Sequence, residues 1–316
     1  MKNLTLKNIK ELKGDASFRK FFRKKYPKYS SIIVKAIKEK EKNLLVYDAI
    51  NKILIKNNIP APKLYHQEYK KNFIEIEDLG NETIFSKLNR SKVSHFEYFK
   101  KIIKILNQIQ LVNQKKIKNF RNQQYVIPRY DKKILIAEAN LFCDWYVKKK
   151  LSQNTKKKFH KKFKVIVKNL ISNLKLRDNV FVHRDFHVSN LMLKKNQIAV
   201  IDSQDALIGN RAYDLASLVD DVRFKTSNNL KDKIYDYYIK TNKKIDEKKF
   251  KNDFEILSVL RNLKIIGIFT RLAIRDNKKK YLKLIPYAWI LINNRVKNNI
   301  VFNDLVELLN QYLRKK

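Results

Sequence analysis

Hydrophobic and polar positions follow two different periods along the chain, and they divide it into a β-rich first part and a helical remainder. Short apolar runs and alternating positions within residues 11–35 and 62–78 are typical of strands separated by turns. Between them, residues 38–57 repeat apolar side chains at helical spacing, and Pro60 and Pro62 end the predicted helix. The first part therefore indicates a small sheet with one helix.

After a predicted turn at residues 78–81 the pattern becomes mostly helical to the end of the chain, with one β-rich segment at 180–202. The clearest helical stretches cover residues 83–113, 131–150 and 155–174. Because strands and helices are segregated, the pattern predicts an α+β fold and not an alternating, doubly wound sheet. We expect a small β-rich lobe over residues 1–78 and a larger, mainly helical lobe over residues 79–316.

Composition places the chain among globular proteins. Of its 316 residues 44% are hydrophobic and 11% aromatic, and no apolar run reaches the roughly 18 residues that a membrane helix needs. The first residues carry no apolar segment of the kind that marks a signal peptide. Cys143 is the only cysteine, which rules out an intrachain disulfide. A reducing, cytoplasmic location is the expectation.

The net charge of +41 has two interpretations. A strongly basic chain can bind nucleic acid or an anionic membrane. Lysine, asparagine and isoleucine are over-used together, however, as the AT-rich codons of a biased genome would produce. The lysines are also dispersed along the chain, which favours a solvated surface over a binding patch. We therefore expect no specific nucleic-acid partner, although the charge should attract small anions such as nucleotides.

Residues 181–205 contain the pattern with the clearest chemistry. His183, Arg184 and Asp185 are followed by Asn190, then by two short apolar runs around a polar turn, and then by Asp202. The spacing H-R-D-x-x-x-x-N followed by a later Asp is that of the kinase catalytic loop and its metal ligand. Three of these residues alone could occur by chance, and a buried Asp after a strand is often a turn cap. The full spacing with a hairpin between the two halves favours a phosphoryl-transfer site.

Phosphoryl transfer explains why these residue types stand at these positions. It requires the reacting groups to be positioned and their charge to be neutralised. We expect Asp185 to accept the proton of the acceptor hydroxyl, and the amide oxygen of Asn190 and the carboxylate of Asp202 to bind Mg²⁺. A hairpin between Asn190 and Asp202 would return both ligands to the same end of two paired strands.

With the following segment GNRAYDLASLVDD, these motifs resemble the superfamily of aminoglycoside phosphotransferases and choline kinases. Within it the chain resembles the bacterial N-acetylmuramate/N-acetylglucosamine kinases over roughly residues 10–225. The segments that carry this second resemblance are 14–23, 73–81, 128–147 and 183–221. The resemblance implies a two-lobed, protein-kinase-like fold, an N-terminal nucleotide-binding lobe, a C-terminal lobe for catalysis and acceptor binding, and ATP with Mg²⁺ as cofactors.

The resemblance also implies residues on the nucleotide side. It places Ser17 in a loop whose backbone N–H groups could hold phosphate, although a plain β-turn is the equal alternative. Lys35 ends an apolar strand where the superfamily has its phosphate-pairing lysine, and an ordinary solvent-exposed lysine is the alternative. The segment from Glu77 to Leu79 would be the hinge that meets adenine, or a simple turn between the lobes.

On the acceptor side, His187 and Asp205, the latter preceded by Gln204, flank the expected catalytic and metal-binding residues. Glu138 and Trp145 are seven residues apart on a predicted helix and therefore on one face of it. A carboxylate beside an aromatic ring suits a sugar, although a tryptophan is more often part of the core.

These observations favour an ATP-dependent kinase that phosphorylates the anomeric hydroxyl of an N-acetylated amino sugar. Choline, homoserine or an aminoglycoside are alternative acceptors; the cationic ones need an acidic pocket, and the chain has few acidic residues to supply one. A basic, nucleic-acid-binding protein on an inactive kinase fold is the non-enzyme alternative. The presence of Asp185, Asn190 and Asp202 together argues against it.

Overall fold

The computed structural model describes residues 8–12, 19–36, 42–90, 94–177, 179–297 and 299–313. The strands are β1 (Ile9–Leu12), β2 (Lys20–Lys25), β3 (Ser30–Lys35), β4 (Leu64–Glu68), β5 (Phe73–Glu77), β6 (Lys116–Lys118), β7 (Gln124–Val126), β8 (Val180–Val182), β9 (Leu191–Lys194), β10 (Gln197–Val200) and β11 (Leu207–Gly209). The α-helices are α1 (Lys42–Lys56), α2 (Ile84–Arg90), α3 (His95–Gln110), α4 (Lys132–Leu141), α5 (Lys148–Lys150), α6 (Gln153–Ser172), α7 (Ala212–Val219), α8 (Asn228–Thr241), α9 (Glu247–Arg275), α10 (Ile285–Val296) and α11 (Asn303–Tyr312).

The described residues form two compact units. One comprises Met1–Pro128 with His183–Ile208, and the other comprises Arg129–Val182 with Gly209–Lys316. The first contains the five-stranded sheet and the hairpin β9–β10, and the second is mainly helical. The segregation of strands from helices is as expected from the sequence. The division predicted between residues 78 and 79 stays a prediction.

The five-stranded sheet is antiparallel in the order β1-β2-β3-β5-β4. Its buried face forms a core with α1, in which Val34 and Ile74 are fully buried against Leu44 and Tyr47. Alternation along β3 explains this, because Val34 and its even-numbered neighbours point to one face and Lys35 points to the other. Helix α1 confirms the helix predicted at residues 38–57 over its described part.

In the helical unit, α4 passes into a π-helical turn at Phe142–Val147, and α9 crosses it closely. Gly267 on α9 allows this approach, because a Cβ atom there would lie 2.3 Å from the carbonyl carbon and oxygen of Leu141. Phe142, Phe159 and Phe163 complete an aromatic core beside this crossing. Neither the π turn nor the small hairpin β6–β7 is predicted by the sequence pattern.

None of the helices in the described ranges is both long and apolar enough to cross a membrane. Of the described residues in the helical unit, nine line a cavity of about 250 Å³ between α10 and α11, and none of the predicted site residues is among them.

Candidate active site

The loop His183–Asn190 is tied at its start to the end of the hairpin β9–β10. His183 is fully buried, and its Nε2 lies 3.1 Å from the carbonyl oxygen of Ile201, a geometry in which the ring donates from Nε2. The ring also packs edge-on against Phe186. Burying the imidazole with a satisfied hydrogen bond holds the loop next to the residue that precedes Asp202.

A tight turn then orders the loop around the main chain of Asp185. Its carbonyl oxygen accepts hydrogen bonds from the N–H of His187 and from Nδ2 of Asn190, both at 3.0 Å. The N–H of Asn190 in turn donates to the carbonyl oxygen of His187 at 2.9 Å. Because the amide nitrogen of Asn190 orders the loop, its Oδ1 is the atom with the chemistry to bind a cation. The Asp185 side chain is half-buried.

The hairpin brings Asn190 and Asp202 to the same end of two paired strands, as the sequence predicts. Leu191 pairs with Val200 in the antiparallel register, and the next link is a hydrogen bond of 3.0 Å from the N–H of Ile201 to the carbonyl oxygen of Asn190. Asp202 follows directly.

Besides Lys195 and Asn196 in the turn between β9 and β10, two residues of this segment have left-handed backbone conformations. Arg184 has φ +73° and Asp202 has φ +61°. Residues other than glycine adopt this conformation at a cost of about 1–3 kcal/mol, and such strain clusters at functional sites. The structure therefore holds both residues in conformations that an unconstrained loop would avoid.

Polar contacts after the hairpin connect Asp202 to Asp205. The amide nitrogen of Gln204 donates to Asp202 Oδ1 at 2.9 Å and to Asp205 Oδ2 at 3.2 Å. Arg184 donates to the carbonyl oxygen of Asp205 at 3.0 Å. The carboxylates of Asp202 and Asp205 remain 44% and 56% exposed, so both are accessible to small molecules.

Helix α1 and the start of β2 contribute residues that the sequence analysis missed. Ser203 donates to Oδ1 of Asn51 on α1 at 2.8 Å, and a guanidinium nitrogen of Arg19 lies 3.7 Å from Asp202 Oδ1. Burial, together with the negative charge of Asp202, raises the pKa of Tyr47 to about 12, so this phenol stays neutral. Arg19 lies within residues 14–23, one of the segments that carry the resemblance, but the sequence pattern gives no role to Arg19 or to the α1 residues, since only the folded sheet brings them to Asp202.

The predicted hinge residues lie beside the hairpin. Leu79 packs with Met192, Ala199 and Ile201 in a small apolar cluster. Glu77 accepts a hydrogen bond from Nζ of Lys194 on β9, a contact that the sequence analysis did not anticipate. An apolar cluster of this kind is a surface against which an adenine ring can pack.

Arg23 on β2 holds the segment that follows Glu77. Its guanidinium makes hydrogen bonds of 2.9 Å to Asp78 and to the carbonyl oxygen of Gly80, and it also contacts Asn81. Burial raises the pKa of Asp78, but hydrogen bonds from Arg23, Ser30 and the Gly80 N–H lower it below its ordinary value overall. Asp78 therefore stays ionised and keeps the segment attached to the sheet.

Of the remaining two predicted nucleotide residues, the structure describes only one. Ser17 lies outside the described residues. Lys35 is half-buried at the end of β3, on the face of the sheet opposite Val34 and the α1 core. Both assignments stay predictions.

In the helical unit, Glu138 lies within a polar network and its side chain is 11% exposed. Its carboxylate accepts hydrogen bonds from Tyr130 and, at 2.8 Å, from Nζ of Lys264, which is also 3.4 Å from the Tyr213 hydroxyl. Trp145 is half-buried in the π turn. A π turn has more residues per turn than an α-helix, so the seven-residue spacing from Glu138 to Trp145 no longer places both side chains on one face. An acceptor role for either residue stays a prediction.

The residues at the hairpin end fit a magnesium ion held partly by substrate. The described residues contain no cluster of three or more His, Cys, Asp or Glu side chains that could hold a metal alone. Mg²⁺ in kinases needs no such cluster, because one or two protein oxygens suffice when phosphates supply others. Asn190 Oδ1 and the exposed carboxylate of Asp202 match that donor set.

Comparison with known proteins decides the family. The sequence pattern of the "Phosphotransferase enzyme family" matches residues 8–247, more than half of the chain. The chain belongs to this family. It is therefore a phosphotransferase with an alcohol group as acceptor, and the family implies ATP as the phosphate donor.

Within this family, the chain is similar to kinases named for amino sugars. The chain is 31% identical to the N-acetylmuramate/N-acetylglucosamine kinase of Neisseria meningitidis, over 86% of this chain and 81% of the relative. It is 29% identical to the Pseudomonas aeruginosa protein of the same name, over 94% of this chain and 86% of the relative. These matches confirm the resemblance predicted from the motifs.

Solved structures confirm the predicted fold. The gentamicin complex of aminoglycoside phosphotransferase APH(2")-IIa is similar with a TM-score of 0.64 at 13% identity, covering 90% of this chain and 92% of that one. A choline/ethanolamine kinase family protein from Mesorhizobium loti gives 0.63 at 11% identity, covering 96% and 92%. The chain has the two-lobed α+β, protein-kinase-like fold.

Proposed function

We propose that this phosphotransferase transfers the γ-phosphoryl group of ATP to the anomeric hydroxyl of an N-acetylated amino sugar, N-acetylmuramate or N-acetylglucosamine. The observation that carries the choice of acceptor is the match of 31% identity over 86% of the chain to a kinase named for these two sugars. The loop and hairpin around Asp185, Asn190 and Asp202 support the reaction itself.

Asp185 is proposed as the residue that positions the acceptor hydroxyl and accepts its proton. Hydrogen bonds from His187 and Asn190 order its main chain, so the backbone that carries the carboxylate has a defined position. Such ordering lowers the entropic cost of aligning the attacking oxygen. His187 and Asp205, which lie in the same loop and hairpin region, are proposed to contact the acceptor.

Asn190 and Asp202 are proposed to hold Mg²⁺, and the hinge from Glu77 to Leu79 is proposed to bind adenine. A bound Mg²⁺ neutralises charge on the phosphate oxygens. The protein's own contribution is to hold Asn190 Oδ1 and the Asp202 carboxylate at one strand end, and to supply the apolar cluster of Leu79 beside it.

A panel assay tests the function. Purified protein with Mg-ATP is given N-acetylmuramate, N-acetylglucosamine, choline, homoserine and an aminoglycoside, and ADP release is measured with each. We expect turnover with one or both amino sugars, and a product whose phosphorus NMR signal couples to the anomeric proton. Turnover with choline, homoserine or the aminoglycoside alone would contradict the proposed acceptor while leaving the kinase assignment intact.

Asp185→Asn is the matched variant for this assay, because it keeps the shape of the side chain and removes its basicity. We expect the variant to fold and to bind Mg-ATP, with kcat reduced at least about 100-fold, as for loss of a general base. Turnover near that of the unmodified protein would refute the role of Asp185.

A further inference from the structure

Arg19 is a buried cation next to the proposed metal ligand. Its side chain is 6% exposed, and one of its terminal nitrogens lies 3.7 Å from Asp202 Oδ1. Burial of a guanidinium is costly unless negative charge compensates it. Asp202 provides such charge, but its own carboxylate is 44% exposed and faces accessible space. The guanidinium of Arg19 is therefore placed where it could also bind an anionic ligand that approaches the Asp202 carboxylate.

The register of the sheet explains why Arg19 reaches this position. Lys20 pairs with Lys35, and Phe21 pairs with Val34. Side chains alternate along a strand, and directly paired residues point to the same face. Arg19 precedes Lys20, so it shares the face of Phe21 and Val34, which pack in the core with α1.

Lys35 points to the other face of the sheet, where a separate polar network lies. Ser31 is four residues before Lys35 on β3 and therefore points to the same face. Its hydroxyl donates a hydrogen bond of 2.5 Å to the carboxylate of Glu75. Lys24 pairs with Glu75 at 3.8 Å, and Tyr26 donates to the same carboxylate at 2.6 Å. The face that carries Lys35 is thus opposite to the face from which Arg19 contacts Asp202.

We infer that Arg19, and not Lys35, is the cation that binds the phosphates of the nucleotide. This inference rests on the proposed nucleotide site around Asp202, and it is independent of the identity of the acceptor. A planar guanidinium presents several N–H donors in a fork that matches phosphate oxygens. In this structure Arg19 pairs with Asp202. With a nucleotide bound, Arg19 would donate to the phosphate oxygens, and the Asp202 carboxylate would then be available to the metal.

Calorimetric titration of the full chain with ATP, ADP and adenosine tests the inference without relying on turnover. Arg19→Met should weaken ATP and ADP binding by about 10–100-fold, the effect of losing hydrogen bonds between charged groups. The affinity for adenosine, which has no phosphate, should change less than about twofold. Arg19→Lys keeps the charge and loses the fork, so we expect an intermediate loss.

Two lysine variants complete the design. Lys20→Met is the matched control, because it removes one positive charge from the adjacent position on the opposite face. It should leave all three affinities within about twofold. Lys35→Met tests the competing assignment, and we expect it to behave like the control. Melting curves without nucleotide show whether each variant is folded, and Arg19→Lys keeps the test decisive if Arg19→Met does not fold.

The outcomes separate this inference from the proposed function. If the unmodified protein binds ATP and both Arg19 variants bind it equally well, Arg19 has no role in phosphate binding and only this inference fails. Loss of phosphate-dependent binding in Lys35→Met, with retention in the Arg19 variants, would return the role to Lys35. If the unmodified protein binds neither ATP nor ADP with Mg²⁺, the proposed nucleotide site and this inference both fail.

Discussion

Replacing Asp220 by asparagine should destabilise the helical unit strongly, because this carboxylate is the anion of a buried ionic cluster. Asp220 is 1% exposed and accepts hydrogen bonds from Arg295 at 2.8 and 3.1 Å, from Lys231 at 3.0 Å and from Ser258 at 2.5 Å. The side chains of Lys231 and Arg295 are 5% and 18% exposed. Asparagine preserves the shape and removes the buried carboxylate that pairs with both cations.

The size of the effect follows from this burial. Removing one partner of a buried ion pair costs about 3–5 kcal/mol. In a unit of this size each kcal/mol lowers the melting temperature by roughly 2–4 °C, so we expect Asp220→Asn to melt about 6–20 °C below the unmodified protein. Asp236→Asn is the matched control, since it makes the same chemical change at an exposed position on helix α8, where the cost should be within about 0.5 kcal/mol.

The pH dependence of stability is a second test of the role of Asp220. Burial raises the pKa of Asp220, but the charges of Arg295 and Lys231 lower it overall, from 3.8 to about 2. A depressed pKa contributes stability above pH 3.8, and this contribution is lost as the pH falls through 3.8 towards 2. Asp220→Asn should lack this component of acid destabilisation, whereas Asp236→Asn should retain it.

A double variant tests the cause. If unpaired positive charge destabilises Asp220→Asn, adding Lys231→Met should recover part of the loss, so that the two changes are not additive. The measurements are melting by circular dichroism and unfolding in urea. A melting temperature for Asp220→Asn no lower than that of Asp236→Asn would refute the reasoning.

Three further predictions concern the metal site, the helix crossing and the charge. Asp202→Ala should weaken Mg²⁺-dependent binding of ATP more than acceptor binding; unchanged Mg-ATP affinity in calorimetry would contradict its role as a ligand. Gly267→Ala should lower the melting temperature, although alanine favours helix by about 1 kcal/mol, because its Cβ would lie 2.3 Å from backbone atoms of Leu141. An unchanged or higher melting temperature would contradict that contact. Binding to a labelled DNA duplex should be weak and non-specific. Its affinity should fall by about 0.9 log units per contacted phosphate for each tenfold increase in salt, while turnover declines far less. Tight, sequence-selective binding at physiological salt would show a functional basic surface.

Local patterns account for what the sequence predicts well. The loop and hairpin from His183 to Asp202 form mainly from short-range contacts. Apolar strands flank a polar turn, and the hydrogen bonds among Asp185, His187 and Asn190 span two to five residues. Such contacts depend on neighbours that can be read directly from the chain. The helix α1 and the strands β4 and β5 are predicted for the same reason.

Features set by distant residues are not predictable in this way. The π turn at Phe142–Val147 adds no change in hydrophobic composition, and it lies against Gly267, more than a hundred residues later in the chain. The expectation that Glu138 and Trp145 share one helix face assumed a uniform winding that the π turn interrupts. The three-residue strands β6 and β7 are too short to show an alternating pattern.

The comparison of Arg19 with Lys35 shows that the sequence does not indicate which face of the sheet a side chain occupies. Arg19 directly precedes β2 and Lys35 ends β3, in a chain whose net charge is +41, so positive charge and position along the chain do not distinguish them. What separates them is the face of the sheet. The face of each residue depends on which side of the sheet α1 covers. Phe21 and Phe22 are adjacent on β2 and point to opposite faces, so the sequence allows α1 to pack on either face. Because Phe21 joins the α1 core, Arg19 is carried to Asp202, and Lys35 is carried to the face of Glu75. In this lysine-rich chain, burial beside the carboxylate proposed to bind metal is therefore the reason for proposing Arg19, and not the lysine at the end of β3, as the phosphate-binding cation.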